Sequence, residues 1–156
     1  MRDGNEMVAS EAISAVGVVG ARQPEALGAL RIVLQDPRVQ LRGQAMMALA
    51  AFGADAAPDL VKCLNEPKPG SYNIAFHVLA SSAPEALLSS NVLVIAAQGL
   101  RSSDLDRRFW AAMVLRAAGQ QAEGVKPDLM VPGGRMDGVL LDATNALRRL
   151  APELLY

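Results

Sequence analysis

Two short signals alternate along this chain, and few folds satisfy both. The first places a small residue, a larger apolar one and a glycine or alanine at four-residue steps. It occurs as Ala12…Val16…Gly20, Ala45…Leu49…Gly53, Ala75…Leu79…Ala83, Ala111…Leu115…Gly119 and Ala143…Leu147…Ala151. From Ala12 onward the first members lie 33, 30, 36 and 32 residues apart. Four-residue spacing keeps side chains on one face of a helix, so each copy is an apolar helical face. The second signal falls between these helices: Pro24-Glu25-Ala26-Leu27, Pro58-Asp59-Leu60, Pro84-Glu85-Ala86-Leu87, Pro127-Asp128-Leu129 and Pro152-Glu153-Leu154. Each puts proline in a first helical turn, where its missing N–H has no intrahelical partner to lose, and an acid beside the positive end of the helix dipole. A single helix pair cannot cover its own apolar face, but stacked pairs bury a continuous core. The expected fold class is all-α, a right-handed α-α superhelix of about four helix pairs with half-repeats at both ends.

The clearest copy of the pattern is Asp36–Gly53, reading DPRVQLRGQAMMALAAFG. Asp36-Pro37 stops one helix and turns the chain. Leu41, Ala45, Leu49 and Phe52 then line one face of the next helix, and Gly53 ends it. Gly43, Ala45 and Ala48 are small enough to let a neighbouring helix approach closely. Asp36-Pro37, Leu41-Arg42, Ala45, Ala48-Leu49 and Gly53 resemble the second helix of a HEAT repeat, and Gly53 through Pro58, Leu60 and Leu64 resemble the start of the following one. Arg108-Phe109-Trp110-Ala111 and Leu115 match again, whereas Tyr72 and Leu140 stand where Arg42 and Arg108 stand in the other copies. The resemblance covers nearly the whole chain. It implies a HEAT-like solenoid acting as an interaction scaffold, with a concave surface lined by the second helices.

Taken in order, residues 1–6 are expected to be a flexible tail and 7–156 a single repeat domain. Helices are expected over Met7–Val19, Pro24–Leu34, Arg38–Phe52, Pro58–Leu64 and Tyr72–Ser81. Asn65–Ser71 (NEPKPGS) is the strongest breaker. Pro84–Leu100 is long, and Ser89-Ser90-Asn91 divides it. Asp104–Ala118 follows with Ser103 or Asp104 as N-cap. After a short helix at Val125–Met130 and a loop at Val131–Gly134 comes Val139–Leu150, and Pro152-Glu153-Leu154 opens a further helix. Half-repeats at both ends would leave apolar faces open to self-association.

The composition bounds function. With 15 basic and 16 acidic residues the net charge is −1, which offers no electrostatic reason to expect nucleic acid or an anionic membrane. Aromatics make up only 4%, so stacking platforms are few. The lone Cys63, in the apolar run Leu60–Leu64, reads as a buried structural thiol. One histidine, one cysteine and no metal-spaced carboxylates leave no metal site or cofactor to expect. Asp104 and Asp106 read as capping residues rather than an acid–base pair. Pro132-Gly133-Gly134 lacks the setting of a phosphate loop. No signal peptide or transmembrane span is written, and a cytoplasmic location is expected.

Candidate binding residues come from aligning the second helices on Arg42 and Arg108. Positions two and five residues later are Gln44 and Met47, Ile74 and His77, Trp110 and Met113, and Asp142 and Asn145, with Glu11 and Ser14 in line on the first helix. An apolar centre with a polar rim suits a protein partner on the concave face. Arg42 and Arg108 are expected to hydrogen-bond loop carbonyls or nearby acids. The function that follows is a non-enzymatic protein-interaction scaffold or adaptor. Two alternatives are an enzyme resembling the HEAT-like alkylpurine DNA glycosylases, for which Trp110 and Asp142 could serve, and a protein resembling the HEAT-like bilin lyases.

Overall fold

The computed structural model describes residues 4–20, 23–66, 71–122 and 136–155. Among them are eight α-helices and no strand: α1 (Gly4–Gly20), α2 (Pro24–Val33), α3 (Val39–Leu49), α4 (Ala57–Asn65), α5 (Ser71–Ser82), α6 (Ser90–Leu100), α7 (Leu105–Ala122) and α8 (Met136–Leu150). Short 3-10 segments occupy Ala50–Ala56, Pro84–Leu88 and Pro152–Leu155. The all-α expectation holds. The chain forms two compact units, Met1–Ser82 and Ala83–Tyr156.

In the first unit α1, α3 and α5 stack as a row, while α2 and α4 each pack against the helix that follows them. This is the pairing that the alternating signals demand. Small residues set how closely the row packs. A Cβ placed on Gly17 of α1 would lie 2.9 Å from the Cβ of Ala48 on α3, and one on Gly43 would lie 3.2 Å from Cδ1 of Ile74 on α5. Leu41, Ala45, Leu49, Leu60, Leu64, Phe76 and Leu79 fill the core between the helices. Each leucine so buried contributes about 1.5–3 kcal/mol over an exposed one. On the outer side, Arg31 of α2 donates through Nε to both carboxylate oxygens of Asp59 on α4, at 3.1 and 2.9 Å.

In the second unit the 3-10 segment at Pro84–Leu88 and α6 pack on α7, and α7 packs on α8. The break foreseen at Ser89-Ser90-Asn91 is present: Ser89 is the N-cap of α6, its Oγ accepting from the N–H of Val92 at 3.4 Å. Asp104 caps α7 through Oδ1, which accepts from the N–H of Asp106 at 2.9 Å. The α7–α8 contact again relies on a small residue, because a Cβ on Gly119 would sit 2.8 Å from that of Ala146. Gly119 therefore lies inside α7 as a packing residue and does not terminate it. Arg101, just after α6, reaches the carbonyl of Leu154 with Nη2 at 3.2 Å and holds the last turn in place.

Several boundaries differ from expectation. α1 begins at Gly4, so residues 4–6 are helical and not a tail. α3 gives way to the 3-10 segment at Ala50, and the turn comes at Gly53, whose φ of 53° and ψ of −128° are costly for any residue with a Cβ. The proline phrase opens α2 and α4, but at Pro84 and Pro152 it opens 3-10 segments. The helix expected at Val125–Met130, its Pro127 phrase, the loop Val131–Gly134 and most of the breaker at Asn65–Ser71 lie outside the described residues.

The corner before α3 explains the DPR phrase. Asp36 Oδ1 accepts from the backbone N–H and Nε of Arg38 at 2.9 and 2.8 Å, and Oδ2 accepts from Arg38 Nη2 at 2.7 Å. Arg42, buried, donates through Nη1 to the carbonyls of Asp36 and Pro37, both at 2.9 Å. Arg108 repeats the device, its Nη1 reaching the carbonyls of Ser102 and Ser103 at 2.6 and 3.1 Å. The repeated geometry is an arginine closing the turn five and six residues before it, so the guanidinium donates to carbonyls there. Leu140, with no polar side chain, cannot make that bond.

Two outcomes follow. Gly119→Ala gains up to about 1 kcal/mol of helix propensity but drives a methyl into Ala146, which costs about 1–3 kcal/mol, so urea melts should show net destabilisation. Gly28→Ala on α2, where nothing lies within 4 Å, should instead stabilise by about 0.5–1 kcal/mol. The Arg38 side-chain hydrogen bonds, then its backbone N–H, lower the Asp36 pKa from 3.8 to about 2. A carboxylate held low in the folded state supports stability above pH 3.8, and that support fades as pH falls from 3.8 toward 2. Carboxyl carbon shifts followed against pH should show Asp36 titrating near 2 in the wild type and moving up toward 3.8 in Arg38→Ala.

Candidate functional site

Helix α3 must bury Leu41, Ala45, Met46 and Leu49 against α1, α2 and α5. The arc that remains carries Gln40, Gln44 and Met47, spaced four and three residues apart and so on one face. Met47 is 60% exposed, which for a methionine leaves a flexible apolar side chain standing in solvent. It forms the ridge between two shallow clefts. One, of about 240 Å³, is lined by Val39, Gln40, Gln44, Met47 and Ile74 with Glu6 and Ser10 from α1. The other, of about 440 Å³, is lined by Ser14 and Val18 of α1 with Gln44, Met47 and Ala51. Gln44 and Ile74 are half-buried. His77, also half-buried, tilts its ring against Phe76, with centroids 5.4 Å apart. The first unit thus brings Gln44, Met47 and Ile74 together, with Ser14 beside them.

The second unit divides its candidates. Trp110 is half-buried and makes an edge-to-face pair with Phe109, ring centroids 4.9 Å apart at 82°. Met113 corrects the register argument: at 1% exposure it is a core residue and cannot meet a partner. The cause is that α7 is enclosed by α6, the Pro84–Leu88 segment and α8, so every residue from Ala111 to Gly119 is buried. A position that faces solvent on α3 faces packed neighbours on α7.

Asp142 and Asn145 are exposed on α8, one turn apart. They share a cleft of about 490 Å³ with Arg149 of the same helix and with Arg116, Gly119 and Gln120 of α7. Arg116 is only 5% exposed, and its Nε lies 3.3 Å from Oδ2 of Asp142. A buried guanidinium is costly unless a carboxylate or other acceptor offsets its lost hydration. Asn145 is held in turn by Arg148, whose Nη1 donates to Oδ1 at 3.4 Å, and its carbonyl accepts from Arg149 Nε at 3.4 Å. Aligning second helices on Arg42 and Arg108 passes over Arg116. The signal for it was one charge inside the apolar run Ala111–Gly119, a position that calls for a buried partner.

Cys63 is a buried thiol. Among the described residues no three His, Cys, Asp or Glu side chains lie close enough to hold a metal ion, and no helix is long and apolar enough to cross a membrane.

The contrast between the two methionines can be measured. Met113→Ala should cost about 2–5 kcal/mol in chemical denaturation. Met47→Ala should change stability by no more than about 0.5 kcal/mol.

No curated protein matches the chain. A family model described as HEAT repeats matches residues 1–80, a stretch that contains α1 to α4 and most of α5. That match spans more than half of the 156 residues and coincides with the row of stacked helices in the first unit, so the chain belongs to the HEAT repeat family.

Proposed function

We propose that this protein is a non-enzymatic interaction scaffold that binds another protein through the exposed face of its second helices. HEAT repeats are in general protein-interaction scaffolds, and the observation that carries the reading to particular residues is the Met47 ridge. Met47 is an exposed apolar side chain between two clefts whose walls mix Val39, Ile74 and Val18 with Gln40, Gln44 and Ser14. Protein interfaces combine an apolar centre with a polar rim, and methionine adapts its shape to what it meets. His77 and Trp110 carry the same proposal as half-buried polar–aromatic contacts, and Asp142 with Asn145 as polar ones. The balanced charge and the few aromatics give the glycosylase-like alternative little support; a salt-sensitive shift of DNA on adding the chain would favour it instead.

The test is a pull-down from native lysate with the wild-type chain, Met47→Asp and, as a control, Ile32→Ser. Ile32 is 77% exposed on α2, away from the second-helix row. A carboxylate in the centre of an apolar contact should lower partner recovery at least about tenfold, with circular dichroism unchanged, while Ile32→Ser recovers the partner as the wild type does. Equal recovery by Met47→Asp would remove the ridge from the binding surface.

A further inference from the structure

We infer that the two clefts between α1 and α3 together form a groove that receives an amphipathic α-helix of a protein partner, one carrying a lysine or arginine beside its apolar face. This deepens the scaffold reading and rests on it for the use of the Met47 ridge. The clefts share Gln44 and Met47 and so adjoin. On α1 their wall is Glu6 and Ser10 in the first and Ser14 and Val18 in the second, four residues apart throughout and therefore on one face of that helix. The span from Glu6 to Val18 rises about 18 Å, just over three helical turns. The cleft centres lie about 12 Å apart at this wall, and closer together at the α3 wall, where Gln44 and Met47 serve both.

Backbone chemistry and charge select the occupant. An extended segment laid on Met47, Val18 and Ile74 would bring its own N–H and C=O groups against apolar side chains, and no strand edge exists among the described residues to pair them. A helix closes those bonds within itself and shows the groove only side chains. On such a helix, apolar residues seven or eight positions apart stand about 10–12 Å apart on one face and fill the two clefts, while a small residue between them rides over the Met47 ridge. Among the described residues lining the clefts, Glu6 carries the only charge, at the end where α1 begins. Glu6 acts electrostatically on Arg38, but Nε and Nη2 of Arg38 donate to Asp36, so that pair is neutral as a unit and leaves the Glu6 charge standing. A cation one turn beyond the anchor in the first cleft meets that carboxylate, and an acid in its place is repelled.

The test uses the whole chain and a blocked, alanine-rich peptide with two leucines seven residues apart and a lysine four residues before the first. Two comparison peptides replace the lysine by glutamate or place a proline midway between the leucines. Methyl NMR spectra should show saturable shifts at Met47, Ile74 and Val18 with the lysine peptide and none with the proline peptide, which cannot span both clefts as a helix. The glutamate peptide should bind about twofold to fivefold more weakly, and Glu6→Gln should bring the two affinities together. Met47→Asp should weaken binding of the lysine peptide at least about tenfold. Absence of shifts at Met47 with the lysine peptide would overturn the inference, and equal binding of the proline peptide would assign the groove to an extended segment instead. Equal binding of the lysine and glutamate peptides by the wild-type chain would overturn the selection for a cation. If no peptide binds while the wild-type chain still recovers a partner that Met47→Asp loses, the helix falls and the scaffold reading stands.

Discussion

The stacking of one second-type helix on the next depends on side chains that are almost absent. Gly17 against Ala48 and Gly119 against Ala146 bring helices so near that an added methyl would collide, and one on Gly43 would press on Cδ1 of Ile74. Close approach is what lets alanine-rich helices bury a core, because alanine contributes little area and must be packed tightly to exclude water. The leucines at four-residue spacing then fill the remaining volume. With larger residues at those glycines, the same apolar faces would be held apart and their leucines left in partial contact.

This tight row also decides what is left for function. A helix enclosed on all sides surrenders every position to the core, as α7 does from Ala111 to Gly119, and even a cation such as Arg116 becomes an interior residue answered by Asp142. A helix with an uncovered arc keeps one face for other molecules, as α3 does with Gln40, Gln44 and Met47. Surface chemistry in this protein is therefore a residue of packing: the two clefts beside Met47 lie along α1 and α3 with Gly43 or Gly17 in their walls, and the polar cleft lies between α7 and α8 with Gly119 in its wall.

Much of the fold was legible because its signals are local. Proline followed by an acid marks a first turn through the geometry of one residue and the dipole beside it, and α2 and α4 start as that phrase requires. Ser89 and Asp104 announced their helices by the same kind of short-range hydrogen bond. Arg42 and Arg108 were legible too, since each closes a turn only five and six residues away. The site was less so. Register along a helix places Met47 and Met113 on equivalent faces, yet one stands in solvent and the other is core, because exposure depends on how many neighbours each helix has.

The sequence by itself determined most of the described helices, their pairing and, at Gly43 and Ala48, small residues through which they meet, since periodicity, caps and residue size all act over a few residues. It also carried the family resemblance. Tertiary structure alone decided that Met113 is interior, that Arg116 pairs with Asp142 across two helices, and that Gly119 is a packing residue inside α7 and not its end. Those are outcomes of which faces become covered when elements distant in sequence come together, and no spacing within a single helix encodes them.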